Sequence, residues 1–156
     1  MMIGRYLLKR VAEDFTVNVS FAPKLFPDWN GSGCHTNYST ETMRAGTGGM
    51  AYIESMMKCF KEKHELHIKV YGEDNDKRLT GIHETSSCKT FSHGIGNRAA
   101  SFRIPTSVAA ANGMGYIEDR RPASNIDAYV VCALIADTSL CTESKAGPLL
   151  ESFTKW

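Results

Sequence analysis

Apolar residues recur at steps of three and four in three segments, which is the spacing of one face of an α-helix. In residues 1–14 the apolar side lies opposite a basic one and comprises Ile3, Leu7, Leu8 and Val11. Residues 50–71 carry the longest such pattern, at Met50, Ile53, Met57, Phe60, His64 and His67. Residues 124–140 predict a last helix, with Ser124 or Asn125 as N-cap. Its predicted inward side is Ile126, Tyr129, Val130, Ala133 and Leu134.

Four short stretches are predicted to be strands, the first of them from the alternation of apolar and polar residues. These are residues 15–21, 34–40, 99–105 and 115–122. In the second stretch the alternation places His35, Asn37 and Ser39 on one face. Residues 71–98 are polar and aperiodic, and a loop of that length in a compact domain is usually functional. The order of helix, strands, helix, strands and helix predicts an α+β fold.

Composition and charge narrow the class of protein. The chain has 156 residues, 42% of them apolar and 22% charged, which indicates one globular domain. A net charge of +1 gives no reason to expect a nucleic acid or a membrane as partner. Five cysteines without a CxxC pair argue against a disulfide framework or structural zinc, and no apolar run approaches the ~20 residues that span a bilayer. We therefore expect a cytoplasmic protein.

The strand at residues 115–122 carries charges on both faces. Alternation places Tyr116, Glu118 and Arg120 together, with Asp119 and Arg121 pointing the other way. A carboxylate and a guanidinium on one face could hold a divalent cation beside an anionic substrate. A solvated sheet edge with ion pairs would give the same pattern, and spacing alone favours that interpretation.

Arginines cluster around that strand, at Arg78, Arg98, Arg103, Arg120 and Arg121. Planar guanidinium groups suit carboxylate and phosphate oxygens, although a basic surface would also explain them. The chain contains no GxxxxGK followed by Ser or Thr, no GxGxxG before a helix and no GxSxG. The usual nucleotide-loop and hydrolase motifs are thus excluded.

Histidines offer weaker signals. His64 and His67 could be a metal pair on a helix, but packing is the commoner explanation, and His83 with Glu84 could be a polar loop pair. A lone His35 is more often structural than a ligand. With Asn37 and Ser39 on its face, and with Glu118 and several arginines elsewhere, it could join a site for Mg²⁺ or Mn²⁺ acting on phosphates.

Four motifs resemble the C-terminal part of the catalytic domain of eukaryotic-type glutamine synthetases. They are WNGSGCHTNYST, RLTGIHET, GNRAASFRIP and GYIEDRRPASN, in this order and at this spacing. The resemblance covers residues 1–137 of the single domain 1–156, and residues 138–156 form a divergent tail. It implies a mainly antiparallel, curved sheet with flanking helices, equivalent to half of that family's catalytic barrel.

The resemblance also implies a reaction and a set of roles. Family members ligate ammonia to glutamate with ATP, through a γ-glutamyl phosphate, using Mg²⁺ or Mn²⁺. The implied metal ligands are His35 and Glu118, and the implied glutamate-binding residues are Asn30, Gly31, Arg78 and Arg120. ATP would contact Asn37, Ser39, Arg98, Arg103 and Tyr116. Arg98 and Glu84 would be catalytic, with Glu84 on a flap that covers the site and takes a proton from ammonium.

Departures from the family pattern limit the expected activity. We identify no counterpart of the family's small β-grasp domain or of the first half of its catalytic domain. Thr106 and Ala128 replace the family's usual arginine and proline. Since family members form ring-shaped homo-oligomers, we expect this chain to aggregate or to associate with full-length subunits and to have little activity alone. The alternative is a non-catalytic, synthetase-like protein that binds nucleotide or a full-length synthetase.

Overall fold

Helices and strands alternate along the chain in short elements. The computed structural model describes residues 1–83 and 85–140. In these ranges the helices are α1 (Met2–Asp14), α2 (Glu41–Ala45), α3 (Gly49–Glu62), α4 (His64–Val70), α5 (Asn75–Arg78), α6 (Thr106–Ala110) and α7 (Ala128–Leu140). The strands are β1 (Thr36–Tyr38), β2 (His93–Ile95), β3 (Phe102–Ile104) and β4 (Ile117–Asp119). This mixed α and β content is consistent with the predicted α+β class.

The four strands form one open sheet in the order β1-β4-β3-β2. Strand β4 pairs antiparallel with both of its neighbours, whereas β2 pairs parallel with β3. The sheet is therefore mixed, with β1 and β4 brought together across about eighty residues of sequence. Three of the four predicted strands, in residues 34–40, 99–105 and 115–122, are confirmed as β1, β3 and β4.

One face of the sheet packs against helices α3, α4 and α7. Ile53 and Phe60 of α3 meet Phe102 of β3, Ile117 of β4 and Leu134 of α7 in a single buried cluster. Helix α3 contributes residues at steps of three and four, so the pattern that predicts this helix also builds the core. The chain turns at Lys63, however, and the predicted single helix over 50–71 is two helices, α3 and α4.

The predicted strand at residues 15–21 is wrong. The backbone there has no strand partner among the described residues, and Thr16 adopts a positive φ of 54° that interrupts an extended chain. The amide of Val17 instead donates to the carbonyl of Ala12, so these residues close the end of α1. Alternation in sequence cannot make a strand without a neighbouring strand to pair with.

Helix α7 starts later and faces differently from the prediction. It begins at Ala128, and Oδ1 of Asp127 accepts from the amide of Tyr129 at 2.8 Å, so Asp127 is the capping side chain. Of the predicted inward residues, Ile126 and Leu134 are buried as expected, but Tyr129 is 79% exposed. Val131 and Ile135, which the pattern did not place inward, are buried. Apolar residues surround this helix on every side, so the sequence does not mark one face as the inner one.

Helix α1 is confirmed, but its predicted apolar side is the outer one. Ile3 and Leu7 are more than half exposed, and Ala12 is the buried residue of the helix. The predicted long loop at 71–98 contains α5 and β2, and an isolated bridge pairs Thr80 with Ser87. Glu84 lies outside the described residues. No helix in the described ranges is both long enough and apolar enough to cross a bilayer.

Candidate functional site

Strand β4 places its alternate side chains on opposite faces of the sheet, as the sequence predicts. In the register, Asn37 of β1 and Arg103 of β3 lie directly opposite Glu118 of β4. These three residues therefore share the face turned away from the helical core. Ile117 and Asp119 occupy the other face and are fully buried.

The carboxylate of Glu118 is the centre of a charged cluster. Its Oε1 lies 3.2 Å from Nδ1 of His35, and its Oε2 lies 3.3 Å from Nη1 of Arg120. Nε of Arg103 donates to the same Oε2. Burial by itself raises the pKa of Glu118, but the Arg103 hydrogen bond and the Arg120 charge outweigh it and lower the pKa overall. The carboxylate is therefore held ionised.

His35 enters this cluster from the turn before β1. Burial and the neighbouring Arg120 charge lower the pKa of His35, with Glu118 opposing them in part. The neutral imidazole that results is the form that binds metal ions. The absence of a side chain at Gly33 leaves room for the His35 ring, because a Cβ at Gly33 would lie 2.7 Å from Nε2 of His35.

The side chain of Arg78 packs against the other side of the same turn, at Gly31. A Cβ on Gly31 would lie 2.5 Å from Cγ of Arg78, so only glycine fits there without a shift. Nη2 of Arg78 donates to the backbone carbonyls of Arg120 and Arg121, at 2.9 and 2.6 Å. Burial and the Arg120 charge lower the pKa of Arg78 to about 10. Arg78 thus links α5 to the chain that leaves β4.

A buried charge network lies behind the cluster, on the core face of β4. Arg121 is completely buried and donates to both carboxylate oxygens of Asp119, at 2.9 and 2.8 Å. The hydroxyl of Tyr71 donates to Asp119 Oδ2 at 2.8 Å. Burial raises the pKa of Asp119, but the Arg121 charge and hydrogen bonds lower it overall. Alternation placed Asp119 and Arg121 on this face but did not reveal that they are buried.

Two histidines complete the network. Nη1 of Arg121 lies 3.2 Å from Nδ1 of His64, and Nη2 lies 3.1 Å from Nδ1 of His67. The other ring nitrogens meet the Cys88 carbonyl at 3.0 Å and the Thr138 hydroxyl at 2.8 Å. Four aromatic rings surround the Arg121 guanidinium, those of Phe60, Tyr71, Phe91 and Phe102. His64 and His67 therefore belong to the packed core.

Comparisons with known proteins show what this chain resembles. A family model described as the glutamine synthetase catalytic domain matches residues 1–50. The glutamine synthetase of Eremothecium gossypii is 59% identical over 139 residues, which are 88% of this chain and 37% of that protein. Over most of its length the chain is similar to glutamine synthetases. The corresponding enzyme of Yarrowia lipolytica is 53% identical, with 94% of this chain and 42% of that protein covered.

These comparisons confirm the resemblance that the four motifs indicate, to the C-terminal part of a eukaryotic-type glutamine synthetase. The Saccharomyces cerevisiae glutamine synthetase is 55% identical over 139 residues, 88% of this chain and 37% of that protein. This chain thus spans about two fifths of the length of the curated relatives that it matches.

The structure brings some of the residues implied by the glutamine synthetase resemblance together and separates others. His35, Glu118, Arg103 and Arg120 form the cluster. The carbonyl of Arg98 accepts from Nε of Arg120 at 3.0 Å, which places Arg98 beside them. Arg78 also touches the cluster, through the carbonyl of Arg120, and Gly31 packs against Arg78. Asn37 is next to Glu118 in the register, whereas Ser39, Tyr116 and Asn30 lie further away.

Ser39 and Tyr116 lie at the opposite end of the β1–β4 pair from His35. The hydroxyl of Ser39 donates to the carbonyl of Gly115 at 2.5 Å, one residue before the half-exposed Tyr116. Asn30 is exposed in the turn that precedes Gly31. Glu84, the implied flap residue, is outside the described residues. The residues implied to contact ATP thus lie both at the cluster, as Arg98 and Arg103, and at the far end of the β1–β4 pair, as Ser39 and Tyr116.

Among the described residues, His35 and Glu118 bring the donor types that a divalent cation beside phosphate requires. An imidazole and a carboxylate suit Mn²⁺ or Mg²⁺, which also accept water and phosphate oxygens. No group of three or more His, Cys, Asp or Glu residues able to hold a metal occurs in residues 1–83 and 85–140. These two donor types fit such an ion, and by themselves they would fill only part of its coordination shell.

Proposed function

We propose that this chain acts in glutamine synthesis, the ATP-dependent ligation of ammonia to glutamate through a γ-glutamyl phosphate. The observation that carries the proposal is the cluster on the open sheet face, where one ionised carboxylate, Glu118, is shared by His35, Arg103 and Arg120. In a chain that resembles glutamine synthetases, these four side chains supply part of the set of groups that phosphoryl transfer needs.

The proposed roles follow the family pattern. His35 and Glu118 would hold Mg²⁺ or Mn²⁺, which when bound would neutralise charge on the phosphate oxygens of ATP. Glutamate would be held by Asn30, Gly31, Arg78 and Arg120, and ATP by Asn37, Ser39, Arg98, Arg103 and Tyr116. Glu84 would take the proton from ammonium, and Arg98 would act with it as a catalytic residue.

The charge balance of the cluster supports the two arginine roles. Arg103 and Arg120 both bond to Glu118. ATP phosphate on Arg103 and the glutamate carboxylate on Arg120 would compete with Glu118 for these guanidinium groups and would release its carboxylate lone pairs. A cation could then take those lone pairs. We therefore propose that nucleotide and metal bind together more strongly than either binds alone.

The activity of the 156-residue chain by itself is proposed to be low. His35 and Glu118 are two donors, and a divalent ion held by two protein ligands is bound weakly unless other groups complete its shell. The cluster would then be one wall of a site. The wider proposal is that the sheet is half of a catalytic barrel in a cytoplasmic enzyme that forms rings. The alternative function is non-catalytic binding of nucleotide or of a full-length synthetase.

Titration of Mn²⁺–ATP tests the proposal, with calorimetry as the readout. We expect the unaltered chain to bind Mn²⁺–ATP, and Glu118→Gln and Arg103→Gln each to weaken binding tenfold or more, about 1.4 kcal/mol. Arg10→Gln is the matched control, because Arg10 forms an exposed ion pair with Glu13 on α1. Equal affinity in all four proteins would overturn the assigned site.

Turnover distinguishes the enzymatic proposal from its alternative. Glutamine formation from glutamate, ammonia and ATP should be slow with the purified chain. Rates comparable to those of a full-length synthetase would contradict the role of the cluster as one wall of a larger site. Binding of Mn²⁺–ATP with no turnover by the chain alone, and with no change in the rate of an added full-length synthetase, would favour the non-catalytic alternative.

A further inference from the structure

Asn75 is a buried polar residue to which the proposed function gives no role. It is the first residue of α5 and is 2% exposed. Its Nδ2 donates to the backbone carbonyl of Arg121 at 2.9 Å, whereas its Oδ1 is buried and has no hydrogen-bond partner among the described residues. A buried acceptor without a partner lowers stability, and this cost offsets what the single bond from Nδ2 contributes. Stability of the fold is therefore a poor explanation for an asparagine at this position.

The carbonyl that Asn75 reaches belongs to the segment of chain that leaves β4. That strand ends at Asp119, and the amide of the next residue, Arg120, donates to the carbonyl of Ser101 at 2.9 Å. The carbonyls of Arg120 and Arg121 then accept from side chains of α5. Helix α5 thus takes over from the sheet in holding this segment.

Arg78, the other donor from α5, cannot fix the position of this segment by itself. Its Nη2 lies 2.9, 2.6 and 3.2 Å from the carbonyl oxygens of Arg120, Arg121 and Pro122. A terminal guanidinium nitrogen carries two hydrogens, so it cannot form three linear hydrogen bonds at once. The segment could slide past Arg78 and exchange one pair of acceptors for another. Asn75 bonds to the middle carbonyl of the three, and its bond selects one of these arrangements.

The position of this segment decides where the guanidinium of Arg120 lies. Its Nε donates to the carbonyl of Arg98 at 3.0 Å, and its Nη1 lies 3.3 Å from both Oε2 of Glu118 and Nδ1 of His35. The distance to the carboxylate is longer than that of an ordinary charge-assisted hydrogen bond, so this contact holds the group weakly. The guanidinium of Arg120 therefore depends on the backbone for its place in the cluster.

We propose that Asn75 is a positioning residue for Arg120: by bonding to the carbonyl of Arg121 it fixes the backbone from which the Arg120 guanidinium reaches the glutamate substrate. This role rests on the proposed function, in which Arg120 binds a carboxylate of glutamate. Arg78 is also proposed to bind glutamate, so Asn75 is the donor from α5 that serves the backbone alone. Asn75 itself would touch neither substrate nor metal.

Exchange of the Arg120 Nε proton with water tests this role without any ligand. NMR of the ¹⁵N-labelled 156-residue chain follows this proton, which donates to the carbonyl of Arg98. We expect Asn75→Ala to accelerate its exchange about threefold or more, as the loss of one hydrogen bond should. The Nε proton of Arg103, which donates to Glu118 from β3, is the internal reference, and its exchange rate should stay the same. The two protons together show whether Arg120 alone is released or the whole cluster is disturbed.

Calorimetry with L-glutamate and with Mn²⁺–ATP separates positioning from a general loss of structure. Asn75→Ala should weaken binding of L-glutamate about three- to tenfold, the effect of one hydrogen bond, because glutamate is proposed to bind Arg120. The affinity for Mn²⁺–ATP should stay the same, because its proposed ligands His35 and Arg103 are not held by α5. A loss of folded protein would lower both affinities alike.

Asn125→Ala is the matched control. Nδ2 of Asn125 also donates to one backbone carbonyl, that of Glu73 at 2.8 Å, and its Oδ1 is likewise buried without a partner among the described residues. This substitution removes the same groups without touching the carbonyl of Arg121, so both readouts should stay unchanged. Asn75→Ser is a milder second variant, since its hydroxyl is too short to replace the lost bond but can bond locally at the start of α5. It should act in the same direction as Asn75→Ala.

Three outcomes would overturn the role of Asn75. They are unchanged exchange of the Arg120 proton in both Asn75 variants, an equal change in Asn125→Ala, and an equal loss of affinity for L-glutamate and Mn²⁺–ATP in variants that far-UV circular dichroism shows to be folded. If the unaltered chain binds neither ligand, the proposed function fails. The exchange measurement needs no ligand and would still decide whether Asn75 fixes Arg120.

Discussion

Replacing Arg121 by methionine should destabilise the fold more than any substitution on its surface. Arg121 is completely buried and donates to both oxygens of Asp119. Methionine fills much of the same length among the aromatic rings but carries no charge. Asp119, also fully buried, would keep the Tyr71 hydroxyl at 2.8 Å and the backbone amide of residue 121 at 3.0 Å. Those two donors do not neutralise a carboxylate.

Two estimates of the cost agree. Removing one member of a buried ion pair typically costs about 3–5 kcal/mol, because the other charge is left uncompensated. Asp119 could instead take up a proton, and forcing a carboxyl group with an ordinary pKa near 4 to be neutral at pH 7 costs about 4 kcal/mol. Whether Asp119 stays charged or takes up a proton, Arg121→Met should lower the free energy of unfolding by roughly 3–5 kcal/mol. The total free energy of unfolding of a protein is about 5–15 kcal/mol.

Urea unfolding followed by far-UV circular dichroism measures this loss. Arg121→Met should lower the free energy of unfolding by about 3–5 kcal/mol, and Asp119→Asn/Arg121→Met should lower it less, because no buried charge remains. Arg10→Gln, which breaks an exposed pair with Glu13, should change it by less than about 1 kcal/mol. A loss below about 1 kcal/mol in Arg121→Met, or an equal loss in the double variant, would refute the reasoning.

The pH dependence gives that prediction a second check. In the unaltered protein the pKa of Asp119 is lowered, so its contribution to stability is present above an ordinary aspartate pKa and is lost as the pH falls through the folded value. In Arg121→Met the pKa of Asp119 should be raised, and the folded state should bind its proton first. The stability difference between the two proteins should therefore shrink as the pH falls from 7 towards 4.

Three further substitutions test other parts of the fold. Burial and the Arg121 charge lower the pKa of His67 from 6.5 to about 3, so the stability that neutral His67 contributes above pH 6.5 is lost as the pH falls towards 3. His67→Gln should flatten that part of the curve of unfolding free energy against pH. An unchanged slope would contradict this prediction. Gly31→Ala should lower the free energy of unfolding in urea by about 1–3 kcal/mol, because the new Cβ would clash with Arg78. Gly4→Ala in α1 should stabilise the protein slightly, since no atom lies within 4 Å of the new Cβ. Equal effects of the two substitutions would contradict the clash. Asp127→Ala should lower the free energy of unfolding by about 1 kcal/mol, because the N-cap of α7 is lost, and Asp127→Asn should lower it by less. An equal loss in the two variants would contradict the capping role.

The alternation of residues along each strand predicts which side chains of the candidate site share a face of that strand. Alternation placed Glu118 and Arg120 on one face of a strand and His35 with Asn37 on one face of another, and the register confirms both. What alternation cannot supply is that these strands are neighbours, because about eighty residues separate them. The contact between His35 and Glu118 depends on sheet order, which only the resemblance to a known family implied.

The buried network escaped prediction because its residues are of types that sequence patterns assign to the surface. Arginine and aspartate are rarely fully buried unless they are paired. Arg121 pairs with Asp119 only two positions away, at the end of β4, and that spacing is too common to indicate a buried pair. Helix α7 illustrates the opposite difficulty. It is apolar around its whole circumference, so the buried side of the helix is set by packing against α3 and α4 and cannot be read from periodicity.

The two faces of β4 depend on each other. The strand ends at Asp119, and beyond it the backbone is held by side chains as well as by the sheet. Nη2 of Arg78 donates to the carbonyls of Arg120 and Arg121, and the amide of Cys34 donates to that of Pro122 at 2.9 Å. Because these contacts fix the chain on both sides of Arg120, the guanidinium that meets Glu118 has little freedom to move. The buried charges of Asp119 and Arg121 lie directly behind the residues of the candidate site. A change in the Arg121 network should therefore displace the backbone that it shares with Glu118 and Arg120, and with it the Glu118 cluster.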